Sequence, residues 1–246
     1  MFAGPCCGRR GERHTLGFMT NRLPTVLISG GSRGIGRAIA DALAPDHHLL
    51  IGGRNADAVD NVCRSLPSAR PFVADLADTD AVTAAVVGVD VVDAVVHSAG
   101  VLGSGEVADL RREDWRHTLE LNVVAVADLT RLLLPRLRER RGQVVVINSG
   151  SGFISRGGGG LYSASKFAVR AFTDALREEE RPHGVRVSSI HPGRVATDMQ
   201  RELRRYEDGE YVASDYLRPE SVAAAVRFAL TVADDGCVEE LSIRPR

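Results

Sequence analysis

Tyr162 and Lys166 stand four residues apart in LYSASKFAVRAFTDALREEE, a stretch with helical spacing. That interval puts both side chains on one face of a helix, a turn apart. A phenol with an unperturbed pKa of about 10 is a poor base near neutrality unless a cation favours its anion, and the Lys166 ammonium can be that cation. Ser149 ends the apolar run of VVVINSGSGF, thirteen residues before Tyr162. Its hydroxyl can meet the phenol above the carboxyl edge of a parallel sheet and hydrogen-bond a carbonyl or alcohol oxygen. Ser151 is the rival for that role. The bland alternative is a packed tyrosine beside a solvated lysine.

A second group lies near the start of the chain. In LISGGSRGIGRAIADAL an apolar run ends at Ser29, and Gly30, Gly31, Ser32, Arg33, Gly34, Ile35 and Gly36 lead into a helical pattern. A turn this tight needs residues without Cβ, and the free amides and dipole of the helix that follows attract an anion. The spacing Gly30-x-x-x-Gly34-x-Gly36 differs from the common G-x-G-x-x-G fingerprint, but it opens the first strand-to-helix unit, where a doubly wound sheet holds a pyrophosphate. The same residues match G-x-S-x-G, an elbow that would present Ser32 as a hydrolase nucleophile with His191 and Asp198 downstream. That elbow normally follows several strands; only about 23 residues precede this one. Gly103-Ser104-Gly105-Glu106-Val107-Ala108 formally reads G-x-G-x-x-A, but no strong helix starts in it, and it reads as an ordinary loop.

The elements that must position these groups are legible from periodicity. Short β-branched runs near 24–29, 48–52, 70–74, 91–97, 143–148, 185–190 and 238–243 alternate with helical patterns at 35–44, 55–65, 78–87, 112–139, 161–181 and 219–232. The expected fold is α/β: a single doubly wound Rossmann-type domain over 23–246, its mostly parallel seven-stranded sheet flanked by helices on both faces. Pro135 should bend or break the long fourth helix. The glycines at 157–160 suit a mobile loop over a site. Residues 1–22 read as a disordered tail without the apolar core of a secretory signal, and Met19 offers an alternative start.

Taken in order, these motifs resemble the short-chain dehydrogenase/reductase family, classical type, over residues 24–243. The motifs are Ser29-Gly30-x-x-x-Gly34-x-Gly36, Asp75, Ser98-Ala99-Gly100, Asn122, Ser149, Tyr162-x-x-x-Lys166 and Pro192-Gly193. The resemblance implies that Tyr162 is the acid/base, that Lys166 lowers its pKa and holds the nicotinamide ribose, and that Ser149 positions the reacting oxygen. It further implies that Asn122 holds a relay water, that Asp75 and the adjoining Leu76 lie at the adenine, and that Val195 and Thr197 flank the nicotinamide amide. Gly30, Ser32, Arg33, Gly34, Ile35, Gly36, Ser98, Ala99, Gly100, Pro192 and Gly193 complete the implied cofactor surface. The family often has Asn-Ala-Gly where this chain has Ser98-Ala99-Gly100, so the contact there is shorter; His97 before it reads as a core histidine.

Strand two ends in LLIGGRN, with Gly53 where an enzyme using NAD carries an acid about 20 residues past the first glycine, and with Arg54 next. Arg33 and Arg54 near one ribose suit a 2′-phosphate, so NADP(H) is expected in preference to NAD(H). The expected activity is hydride transfer between that cofactor and a carbonyl or secondary alcohol. The alternatives are a non-catalytic NADP-binding regulator and, remotely, the Ser32 hydrolase. The 31 basic and 32 acidic side chains nearly cancel and form no long block, which points to a small-molecule partner and away from nucleic acid and membrane. Cys6, Cys7, Cys63 and Cys237 lack zinc-site spacing, which fits a reducing cytoplasm. The segment Thr197 to Arg218, with Met199, Leu203 and Tyr206, reads as a polar lid that sets specificity. The resemblance implies a homodimer or homotetramer joined through the helices at 112–139 and 161–181.

Overall fold

A computed structural model of the chain describes residues 22–246. The expected tail, Met19 and the cysteines at 6 and 7 lie outside the described residues. Arg22, assigned to that tail, is anchored: its guanidinium meets Asp93 at 2.7 Å and Thr25 at 2.8 Å.

Seven parallel strands form one sheet in the order β3-β2-β1-β4-β5-β6-β7. They are β1 (Thr25–Ser29), β2 (His48–Gly53), β3 (Ala69–Val73), β4 (Ala94–His97), β5 (Gln143–Ile147), β6 (Arg186–Pro192) and β7 (Glu240–Ile243). Helices α1 (Gly34–Leu43), α2 (Ala56–Arg64), α3 (Thr79–Val87), α4 (Arg112–Leu119), α5 (Ala125–Arg140), α6 (Gly160–Glu180), α7 (Asp198–Tyr206) and α8 (Pro219–Thr231) complete it. Strand β1 shows why the runs are apolar without alternation. Val26 and Ile28 point into a core under α1 and α8, with Ile39, Leu43, Val222 and Val226. Leu27, between them, points the other way into a core with Leu129, Leu133, Val169 and Leu176 of α5 and α6. Side chains of successive strand residues face opposite sides, and here both sides are covered.

The chain winds outward from β1 to β3, then returns to place β4 on the other side of β1. The loops after β1 and β4 therefore diverge at the carboxyl edge, at the switch point where doubly wound sheets open a crevice.

Two expectations need correction. The helix expected over 112–139 is two helices joined by a π-helical turn at Glu120–Val124. The irregularity sits at Asn122 and not at Pro135: α5 runs through Pro135, which is exposed, so the carbonyl that loses its partner can face water. In the lid, α7 is a regular helix that the periodicity did not disclose. Its signals were local: Thr197 accepts from the Gln200 amide as N-cap, Asp198 lies in the first turn, and Arg204 and Arg205 lie in the last.

Candidate functional site

The turn between β1 and α1 is built by its glycines. Gly30 and Gly34 have φ of +65° and +55°, in the region that side chains disfavour. A Cβ on Gly30 would lie 2.9 Å from the Ala99 backbone, and one on Gly36 would lie 2.2 Å from the Gly30 carbonyl oxygen. Helix, turn and β4 loop thus approach backbone to backbone. The first turn of α1 carries no acid, and Arg33 at its N-cap supplies no side-chain acceptor. Its leading amides are left for an external anion, so this cradle fits a dinucleotide diphosphate.

Ser29, at the last position of β1, clasps the other wall. It is buried, and its hydroxyl accepts from the Ser98 amide at 3.1 Å and the Ala99 amide at 3.2 Å. Sequence reasoning used Ser29 only as part of a motif; the signal for more was a hydroxyl at the sheet's carboxyl edge before the tightest turn. Gly100 packs against Asn122, whose side chain accepts from the Val101 amide at 2.8 Å and donates to the Val101 carbonyl at 3.0 Å and to Ser165 at 3.1 Å. Asn122 is a strut between the π turn, the β4 loop and α6. His97 is a core histidine as expected: buried, 2.9 Å from the Thr130 hydroxyl, with its pKa drawn down to about 4 by burial.

Around the end of β2 the arrangement is looser. Arg54 is exposed, and its guanidinium makes no hydrogen bond or ion pair with the described residues. Arg33 is exposed as well, but it pairs with Asp198 of the lid at 3.3 Å. Asp75 is exposed and uses one oxygen to accept from the Ala77 amide at 3.0 Å, while Leu76 packs on the core beneath. Ser32 faces Gly53 across the turn.

Tyr162, Lys166 and Ser149 do converge. They line a cleft of about 700 Å³ together with Ile35, Ser98, Ala99, Gly100, Pro192, Gly193, Val195 and Thr197. Ser149 caps a short turn at Gly150–Gly152, where its hydroxyl accepts from the Ser151 amide at 3.1 Å. Of the two rival hydroxyls, Ser149 is the one near enough to draw the Tyr162 pKa down against burial. Lys166 Nζ lies 5.7 Å from the centre of the Tyr162 ring and donates to the Ile147 carbonyl at 3.1 Å.

The electrostatics refine one expectation. Burial pushes the Tyr162 phenol above its ordinary value of 10, with the neighbouring Ser149 hydroxyl working the other way. Burial draws Lys166 down to about 8. In the protein without cofactor, burial outweighs the help of the nearby ammonium, and the phenol stays protonated at neutral pH.

At the end of β6, the Gly193 amide donates to the Ile243 carbonyl at 2.7 Å, and Val195 bridges to Leu217. The Thr197 hydroxyl donates to the Val195 carbonyl at 3.2 Å. Met199, Leu203 and Tyr206 of α7 line the cleft, and a Cβ on Gly158 would lie 2.8 Å from the Tyr206 hydroxyl oxygen. The glycine loop thus meets the lid closely at Gly158, while a Cβ on Gly157 or Gly160 would meet nothing within 4 Å. The segment around Gly103 is a loop on the rim, as expected, its carbonyl accepting from the Tyr162 amide at 3.2 Å. The hydrolase triad is not assembled. Buried His191 turns Nδ1 to the Ser149 carbonyl at 3.2 Å, and Asp198 pairs with Arg33, so neither serves Ser32. Among the described residues no group of three or more potential ligands could hold a metal ion, and no helix is long and apolar enough to cross a membrane.

A family model described as short chain dehydrogenase matches residues 24–208. An uncharacterized short-chain type dehydrogenase/reductase of Sinorhizobium fredii is 33% identical over 231 residues, covering 92% of each chain. Glycine betaine reductase of Emericella nidulans is 32% identical over 236 residues; the match takes in 89% of this chain but only 18% of that protein. Among solved structures, an alcohol dehydrogenase of Thermococcus sibiricus complexed with 5-hydroxy-NADP superposes with a TM-score of 0.82 at 28% identity, over 90% of this chain and 96% of that one. A 3-oxoacyl-[acyl-carrier protein] reductase of Brucella melitensis with bound NAD gives 0.79 at 28% identity, over 91% and 90%. With the sheet order, the glycine turn and the Ser149, Tyr162 and Lys166 cluster already in place, these matches establish that the chain belongs to the short-chain dehydrogenase/reductase family.

Proposed function

We propose that this oxidoreductase moves hydride between NADP(H) and a carbonyl or secondary alcohol carbon, with Tyr162 as the acid/base. The observation that carries this reading is the convergence of Tyr162 and Ser149, beside a buried Lys166, on the wall of a cleft that reaches the glycine turn. When bound, the dinucleotide supplies the hydride donor or acceptor. Ser149 holds the substrate oxygen. Tyr162 gives that oxygen a proton in reduction and removes one in oxidation. The phenol is protonated at neutral pH, the form that donates in reduction. Lys166, still mostly cationic at neutral pH, steadies the phenolate left after proton donation and is placed to hold the nicotinamide ribose. Asn122 acts through the β4 loop and α6, and the relay water remains part of the proposal.

The preference for NADP(H) rests on Gly53 and Arg54 at the end of β2 and on Arg33 in the turn, with Asp75 at the adenine. Relatives carrying NADP and relatives carrying NAD are both similar in structure, so the arginines and not the fold support the choice. Exposed Val124 and Phe167, on the helical layer of α4 to α6, suit a homodimer or homotetramer contact there.

Tyr162→Phe tests the role. It is expected to lower turnover about 10²–10⁴-fold, as read by the absorbance of the reduced nicotinamide, while leaving the NADPH dissociation constant within a few-fold of its starting value. Turnover retained in the variant overturns the assignment. A fluorescence titration comparing NADPH with NADH, repeated with Arg33→Ala and Arg54→Ala, tests the cofactor preference.

A further inference from the structure

The substrate end of the cleft is unevenly charged. Its lining acid is Glu207, and that carboxylate is already held by Arg194, at 2.9 Å for one contact, and by Arg204. Two lining arginines have no carboxylate partner among the described residues. Arg156 makes no side-chain hydrogen bond there, and Arg244 uses Nη1 on the backbone carbonyls of His191 and Ile243. The other edge of the Arg244 guanidinium, Nη2 with Nε, has no acceptor among the described residues. The turn after Ser149 packs on the flat face of that guanidinium, a Cβ on Gly150 lying 3.3 Å from Nη2, 3.5 Å from Cζ and 3.8 Å from Nε, so the Nη2–Nε edge is not covered by the turn. A guanidinium edge with two parallel N–H groups is the geometry that receives an oxyanion in two hydrogen bonds. Here it stands one residue from the hydroxyl that holds the reacting oxygen.

Resting on the hydride-transfer reading above, we propose that the preferred substrate carries an oxyanionic group, a carboxylate or phosphate ester, a few bonds from the reacting carbon. The Nη2–Nε edge of Arg244 receives that group, and Arg156 adds long-range attraction from the far rim. In reduction the hydride goes to the carbonyl carbon, the π pair of the C–O bond takes the proton of Tyr162, and the substrate leaves as the hydroxy acid or hydroxy phosphate. Nicotinamide is oxidised as the carbonyl is reduced, and the oxyanion keeps its charge throughout.

The test compares matched pairs differing in that charge: 3-hydroxybutyrate with its methyl ester, and dihydroxyacetone phosphate with dihydroxyacetone. Turnover is measured with the dinucleotide, and binding is measured by calorimetry on the dinucleotide-loaded protein. At least one charged member is expected to be preferred about tenfold or more, the worth of a charge-assisted hydrogen bond; which pair shows the preference identifies the oxyanion. Arg244→Gln should collapse that ratio, and Arg244→Lys, which keeps the charge but not the fork, should leave an intermediate ratio. Equal use of both members of each pair, or a preference that survives Arg244→Gln, overturns the proposal and leaves the hydride-transfer reading intact. Failure to turn over any carbonyl or alcohol, neutral ones included, sinks that reading and this one together.

Discussion

The floor of the cleft and its rim are held by different physics. On the floor, Lys166 and Asn122 are buried, and their polar atoms are met by backbone carbonyls, a backbone amide and Ser165. On the rim, α7 and its flanks are joined by side-chain ion pairs: Arg194 and Arg204 on Glu207, and Arg33 on Asp198 with both partners more than two-thirds exposed. Buried groups met by backbone stay where the sheet puts them. Exposed pairs are screened and contribute little each, so they can part when a ligand competes for one member. The difference assigns geometry to the floor and adjustment to the rim.

The comparison is broken most severely by Gly36→Ala, which attacks the framework directly. With 2.2 Å between the new Cβ and the Gly30 carbonyl oxygen, helix α1 must move away from the turn. The expected cost is about 2–4 kcal/mol of stability together with loss of dinucleotide binding, read by denaturant titration and by NADPH fluorescence. A variant that binds and unfolds like the parent would show that the turn is not rigid.

Lys166→Met tests what the floor demands in electrostatic terms. Burial lowers the folded pKa to about 8 from 10.5, so below pH 8 both states hold the proton and the burden of a buried ammonium is fully present. Between about 8 and 10.5 the unfolded chain keeps the proton that the folded protein has released. More protons are then bound in the unfolded state, and this group's contribution to stability rises with pH. Tyr162, raised above 10, acts in the opposite sense only at the top of that window. Relative to Lys166→Met, the wild type should gain about 1 kcal/mol between pH 7 and 9, measured by urea unfolding of both proteins. An unchanging difference would mean that water reaches the ammonium.

The same division explains what could be read from the sequence. The floor follows from local rules: a four-residue interval fixes Tyr162 and Lys166 on one helix face, and continuous apolar runs such as QVVVI specify strands covered on both sides. The glycine turn was legible because backbone approach excludes Cβ. The π turn at Asn122 was not, since it depends on side-chain bonds to Val101 and Ser165, which are distant in sequence. Helix α7 was obscured because five of its nine residues are charged, and its apolar stripe is only Met199, Leu203 and Tyr206. Spacing also reveals a neighbouring cation but not how deeply the pair is buried, and burial raises the Tyr162 pKa in the protein without cofactor.

On the rim, Glu207→Gln removes the negative charge shared by Arg194 and Arg204. The expected change in stability is at most about 1 kcal/mol, with a larger effect on substrate KM, since two more guanidiniums are freed beside the cleft. A stability loss of several kcal/mol, found by thermal unfolding, would place this cluster with the floor.

Asp198→Asn has the smallest expected effect on stability and is the sharpest test of the rim as an adjustable part. Asp198 and Arg33 are 71% and 76% exposed and 3.3 Å apart, so their pair contributes almost nothing to folding. For Arg33 to grip a 2′-phosphate it must leave Asp198, and that carboxylate competes with the ligand for the same donors. Neutralising it removes the competitor and a repulsive charge at once. NADPH should then bind a few-fold more tightly, with no matching change for NADH, and the gain should shrink as salt rises because both effects are screened. Paired titrations at low and high ionic strength read this directly. If NADPH and NADH respond alike, Arg33 does not meet the 2′-phosphate, and the lid and the cofactor's ribose are not linked through this residue.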